Sequence, residues 1–281
     1  MPSIKEIKDY YDFSKLDYQI YNLAFSGISM HFGLWDEKTK THKQALLNEN
    51  KVLSEIAGIN SGDYVLDIGC GYGTTSVWIA KNINCKVLGI TISQKQVNEA
   101  NILAKKHGVE NLTNFKVMDF HTIEFPENTF DVVLAIESIS HSKEKIKVLK
   151  EIYKVLKIDG IFVIADGFFA KNKRDLSRRE KEIARICFEG VHVPPVAEQK
   201  EFQIWLEEAG FKSIQWFDKT LNILKTSKRV SILGKLFLPF STVLGLCGFK
   251  QISTSHVKAF IYQYYAWKDG IGVYGIFSAK K

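Results

Sequence analysis

"YVLDIGCGYGTTSVWIA", residues 64–80, joins an apolar run to three alternating glycines and then to a helical pattern. The run Tyr64–Ile68 reads as a strand buried on both faces, and residues 74–83 read as the helix behind it. Between them Gly69, Gly71 and Gly73 form a turn whose backbone a ligand can approach without meeting a Cβ. The spacing G-x-G-x-G differs from the G-x-G-x-x-G of a dinucleotide turn, and the second strand ends in Gly89-Ile90-Thr91 with no carboxylate for a ribose. An acid, Asp67, sits at the first strand's end, where a phosphate-binding loop would avoid one.

Outward from this turn the chain alternates strand-like and helical stretches. Apolar runs "KVLGIT", "TNFKVMD", "FDVVLAI" and "GIFVIADGF" follow, separated by helical patterns at about 93–107 and 143–157. Continuous rather than alternating apolar runs suit parallel strands covered on both faces. "KIDG", 157–160, reads as a helix-ending turn. A helix over 42–59 precedes the first strand, and an amphipathic helix over 198–210 leads into the strand "FKSIQWFD"; "IGVYGIFSA" closes the chain as a strand. The expected fold is α/β and Rossmann-like. One mostly parallel sheet of seven strands carries helices on both faces, and a long connection inserts the last strand. The chain reads as a single domain: a lid over 1–41, a core over 42–169, and cap segments over 170–197 and 221–267.

The 281 residues, 46% of them hydrophobic, suffice for one large core. Four cysteines stand alone at 70, 85, 187 and 247, without the spacing of a zinc site, which suits reduced thiols in a cytoplasmic protein. The opening "MPSIKEIKDYYDF" is charged and lacks a signal peptide's apolar core. The net charge of +7 is one-sided: residues 221–281 carry nine Lys or Arg against Asp269. That field suits an anionic partner, or a solvated lysine-rich surface. Within "SILGKLFLPFSTVLGLCGF", 231–249, Lys235 and Pro239 interrupt a run barely long enough to span a bilayer; a helical hairpin, buried or touching a membrane surface, is expected.

"VLDIGCGYG" resembles the first motif of the class I S-adenosylmethionine (AdoMet)-dependent methyltransferases, and the likeness covers roughly residues 60–166. The small-molecule C-methyltransferase branch, of tocopherol, sterol, isoprenoid and cyclopropane-synthase-like enzymes, is the most similar. The resemblance implies that Asp67 organises the loop and meets the cofactor's ammonium group while Gly69, Gly71 and Gly73 admit its methionine portion. In "GITISQKQ", Thr91, Ile92 and Gln96 match cofactor-contacting positions, although most relatives hold an acid where Thr91 stands. In "VMDFH", Asp119 matches the acceptor for the adenine amino group, with Phe120 beside the ring; Asp119 could equally cap a turn.

"LAIESISHS", 134–142, ends the fourth strand and resembles the E-S-x-x-H segments of that branch. Ile136 is positioned to touch the cofactor. A carboxylate after an apolar run is costly to bury without a partner or a task, so Glu137 reads as the general base, with His141 as its orienter or a second base. Either side chain could instead hold the loop or cap the next helix. The opening "YYDFSKLDYQIYNLAFSGISMHFGLW" resembles the branch's N-terminal lid and puts Tyr10, Tyr11, His31 and Trp35 near the cofactor. "SHVKAFIYQYYAWKDG" brings Tyr262, Tyr265 and Trp267 toward a substrate pocket, and Lys225, Lys228, Arg229 and Lys258 toward an anionic head group or membrane.

These residues imply AdoMet-dependent methylation of a small hydrophobic acceptor, an isoprenoid, sterol-like compound or prenylquinol, at carbon. O- or N-methylation of a small metabolite, or cyclopropane-type lipid modification, is the alternative. No motif for holding a flipped base is present, so nucleic acid is not the expected substrate.

Overall fold

The computed structural model describes residues 31–190, 193, 194, 196–246 and 254–281. Tyr10 and Tyr11, and with them most of the expected lid, lie outside the described residues.

The sheet has seven strands: β1 (Tyr64–Ile68), β2 (Lys86–Thr91), β3 (Thr113–Val117), β4 (Phe130–Ile136), β5 (Leu156–Phe169), β6 (Lys212–Asp218) and β7 (Gly272–Lys280). Their order is β3-β2-β1-β4-β5-β7-β6. β1 pairs in parallel with β2 (Ile68 opposite Ile90) and with β4 (Ile68 opposite Ala135). β7 runs antiparallel between β5 and β6, the inserted last strand that the sequence leads one to expect.

Alternate residues of the central strands feed two cores. Leu66, Ile68, Leu88 and Ile90 pack on one face with α4 (Lys145–Val155) and α6 (Gln199–Glu208). Val65 and Val87 pack on the other with α1 (His42–Ala57), α2 (Thr74–Ile83) and α3 (Gln94–His107). The side-chain period of two divides each apolar run between these layers. Helix ends follow local chemistry. Thr41 caps α1 with a capping box through Gln44, and Gly58, at φ 62°, ends it.

"KIDG" departs from the expected turn. β5 already begins at Leu156, and its register against β4 shifts between Phe130 and Val132, with Asp159 at φ 65°. A left-handed residue lets the chain bulge and rejoin the ladder instead of leaving it.

The two cap segments supply α5 (Arg178–Gly190), α7 (Thr220–Leu246) and α8 (Thr254–Lys268). Phe188 of α5 packs with Phe169, at 5.3 Å between ring centroids, and Trp267 of α8 packs with Tyr274, at 6.5 Å. Among the described residues no helix is long and apolar enough to cross a membrane.

Candidate active site

Strand order reverses at β1: β2 lies on one side and β4 on the other, so the loops leaving β1 and β4 flank a crevice at the carboxyl ends of the strands. The two loops touch. Ser138 Oγ donates to Ile68 O at 2.9 Å, and a Cβ built on Gly69 (φ 73°) would stand 2.5 Å from Ser138 Cβ. Glycine is therefore needed at 69 for protein packing. Gly71 differs: it also has a left-handed φ, 53°, but a Cβ there would meet nothing within 4 Å. Its open side faces a cavity of about 360 Å³.

Most of the sequence-predicted residues line that one cavity: Asp67, Gly69, Gly71, Thr91, Ile92, Gln96, Asp119, Phe120, Ile136, Glu137 and His141, with His31 and Trp267. Asp67 is buried and accepts from Ser76 Oγ at 2.6 Å; burial pushes its carboxyl up to about 6. A cation beside it would relieve that cost. Thr91 Oγ1 donates to Gln96 Oε1 at 2.5 Å. Asp119 Oδ1 accepts from the His121 amide at 2.9 Å and pairs with His121 Nδ1 at 2.6 Å, leaving Oδ2 without a hydrogen bond among the described residues. A buried carboxyl at Asp67, an open-sided Gly71 and a spare acceptor at Asp119 are chemically compatible with the ammonium, methionine and adenine parts of AdoMet.

Two expected contacts fall elsewhere. Trp35 does not line the cavity: it is buried beneath α7, where Nε1 donates to Thr226 Oγ1 at 2.8 Å and Lys225 and Arg229 stand 3.9 and 4.8 Å from its ring centroid. Its flat face and its N–H are both engaged by α7, which ties the His31–Trp35 segment to that helix. Lys225 and Arg229 are spent on the same ring. Gly73 is the N-cap of α2, and a Cβ there would meet Phe115 and Ala100 at 2.7 and 2.8 Å; it serves packing. Tyr265 accepts from Lys235 Nζ at 2.6 Å, and neither it nor Tyr262 lines the cavity.

Glu137 follows β4 at φ 47°, a left-handed conformation that a glutamate adopts rarely. Its Oε1 accepts from the Phe32 amide at 2.9 Å and lies 3.0 Å from Tyr274 Oη. Burial, with the Glu49 carboxylate nearby, pushes it up to about 8. His141 is half-buried, and desolvation beside Lys145 brings it down to about 4, a neutral imidazole at physiological pH. Asp166, held by the Ser140 and Gly167 amides, is pushed up to about 6 by burial.

Glu49, Phe32 and Tyr274 were not legible as site residues. Glu49 carried one overlooked signal: an acid in the buried stripe of α1, beside Ala45, Leu46 and Leu53.

The family model described as methyltransferase domain matches residues 59–210, more than half of the chain. The chain belongs to this methyltransferase family, whose members of this fold class draw the methyl group from AdoMet, the donor the glycine loop was expected to hold. It is 32% identical over 186 residues to 27-O-demethylrifamycin SV methyltransferase of Amycolatopsis mediterranei, covering 66% of this chain and 67% of that one. It is 30% identical over 207 residues to a sterol 24-C-methyltransferase of Saccharomyces cerevisiae, covering 72% of this chain and 54% of that one, so it spans about half the length of that relative. In fold it is similar to the cyclopropane synthase MmaA2 of Mycobacterium tuberculosis, with a TM-score of 0.84, 14% identity, and coverage of 100% and 99% of the two chains.

Proposed function

We propose that this protein transfers a methyl group from AdoMet to a carbon of a small hydrophobic acceptor, an isoprenoid, sterol-like compound or prenylquinol, and that Glu137 takes the proton the methylated carbon loses. One observation carries this reading: a half-buried carboxylate, whose Oε2 makes no hydrogen bond among the described residues, lines a cavity that also has an apolar, aromatic part. Phe168, Phe169, Phe188, Phe260 and Ile271 line that part. Methylation of an alkene creates a carbocation; aromatic faces stabilise it, and a carboxylate within reach removes its proton. Trp267, with Nε1 buried and unpaired among the described residues, offers one donor for a polar end of the acceptor. The proposed cofactor contacts are Asp67, Gly69, Gly71, Thr91, Ile92, Gln96, Asp119, Phe120 and Ile136, with His141 on the acceptor side. The sterol methyltransferase relative supports the choice of carbon; the rifamycin relative supports a second reading, methylation of a hydroxyl, with Glu137 or His141 as base.

The same reading includes a cytoplasmic protein resting on a membrane that supplies the acceptor. On α7, Lys228, Ile232, Leu236 and Phe240 recur every four residues along one face; Leu236 is 74% and Phe240 55% exposed. Apolar side chains flanked by lysine suit an anionic lipid surface.

The test is incubation with methyl-labelled AdoMet and a panel of isoprenoid diphosphates, sterols, quinols, phenols and amines. Label on carbon of an apolar acceptor is expected; label confined to oxygen or nitrogen overturns the carbon assignment.

A further inference from the structure

The carboxylate next to the cavity does not stand alone. Tyr274 Oη lies 3.0 Å from Glu137 Oε1 and 2.8 Å from Glu49 Oε1; Glu49 is buried and Glu137 half-buried. A phenol has one proton to donate. It can satisfy one of these oxygens, and the other contact needs a proton from a carboxyl group. The three side chains therefore hold two protons between them. The remaining groups around Glu49 are donors: the Gly33 amide reaches Oε2 at 2.9 Å, and His31 Nδ1 stands 2.5 Å from the same oxygen. His31 Nε2 is buried and has no hydrogen bond among the described residues.

We propose that Tyr274 passes a shared proton between Glu137 and Glu49, so that the two carboxylates act as one acid–base unit. This rests on the reading of Glu137 as the base. In one state Glu137 is the acid: its O–H donates to Tyr274 Oη, and the Tyr274 O–H donates to the Glu49 carboxylate. Moving the first proton onto Oη and the second onto Glu49 re-forms the phenol and leaves Glu137 as the carboxylate. No oxidant or further reactant is needed. In this second state Glu137 takes the proton from the methylated carbon, whose C–H electron pair becomes the new double bond.

The electrostatics of the unliganded site favour the first state. Burial would raise Glu49, but His31, the Tyr274 hydroxyl and the Gly33 amide hold it below its ordinary value; burial pulls His31 down, and Glu49 more than offsets this. Glu137 itself faces Glu49, His31 and Asp166. A cationic ligand in the cavity favours the state with Glu137 ionised. Tyr274 and Glu49 are thus positioning residues that act through Glu137.

The test follows the carboxyl carbons of glutamate by carbon-13 NMR through a pH titration of the full chain without ligand, the two signals being assigned by their loss in Glu137→Gln and Glu49→Gln. The signals of Glu137 and Glu49 are expected to shift together over one pH range. In Tyr274→Phe they separate. In Glu49→Gln, which removes a neighbouring negative charge, the Glu137 titration and the acidic limb of the pH–rate profile move down by about one pH unit. Independent titration in the wild type, or a Tyr274→Phe protein whose two titrations still coincide, overturns the proposal. Should Tyr274→Phe fail to fold, an unmoved Glu137 titration in Glu49→Gln overturns it. Full methyl transfer by Glu137→Gln would instead defeat the base assignment, whatever the titrations give.

Discussion

Glu137 and Tyr274, separated by 137 residues of chain, meet at 3.0 Å across the carboxyl end of the sheet. The antiparallel insertion of β7 beside β5 brings this about, by setting Tyr274 opposite Gly167 in register. The last strand therefore completes the site as well as the sheet.

The contact between the β1 and β4 loops predicts the cost of a side chain at 69. Gly69→Ala puts a Cβ 2.5 Å from Ser138 Cβ at a φ of 73°. A loss of about 2 kcal/mol is expected, lowering Tm by roughly 5 °C. Ser138→Gly in the same chain should recover part of it. An unchanged Tm would show that the loops are not in contact.

Asp67 predicts a pH dependence. Its folded value, about 6, lies above the ordinary 3.8. A raised acid stabilises the fold below its unfolded value, and that contribution is lost as pH rises through the folded one. Between about pH 4 and pH 6 the wild type should lose of order 3 kcal/mol relative to Asp67→Asn. Denaturant unfolding at several pH values measures this, and parallel curves for the two proteins would contradict it. Asp67→Asn should also bind AdoMet more weakly, having lost the charge opposite its ammonium group.

Trp35 predicts a split between stability and binding. Trp35→Phe loses the hydrogen bond to Thr226 and weakens the stacking of Lys225 and Arg229. A loss of about 1 kcal/mol in unfolding free energy is expected, with affinity for S-adenosylhomocysteine unchanged. Weakened affinity at unchanged stability would return Trp35 to the cofactor site.

The exposed face of α7 predicts sedimentation with phosphatidylcholine–phosphatidylglycerol vesicles. Binding should fall with added salt and in Leu236→Asn/Phe240→Asn. Equal sedimentation of the double variant would remove the membrane from the account.

The sheet was legible because continuous apolar runs and glycine turns are local signals. Asp67, Asp119 and Glu137 were legible because each is an acid at the end of such a run. Glu49 and Tyr274 were not, because their role exists only after a helix before β1 and a strand near the chain's end have packed together. The surroundings of Trp35 were hidden for a related reason. A tryptophan beside His31 belongs to the lid segment, and only the fold reveals that Thr226, nearly two hundred positions later, claims its N–H. Positive φ at Glu137 likewise has no signature in side-chain identity.

The most direct measurement compares Glu137→Gln with the wild type in methyl transfer and in affinity for S-adenosylhomocysteine. Glu137 as general base predicts a fall in transfer of about 10²–10⁴-fold, with affinity essentially retained. Transfer at the wild-type rate by a folded Glu137→Gln protein would contradict the account.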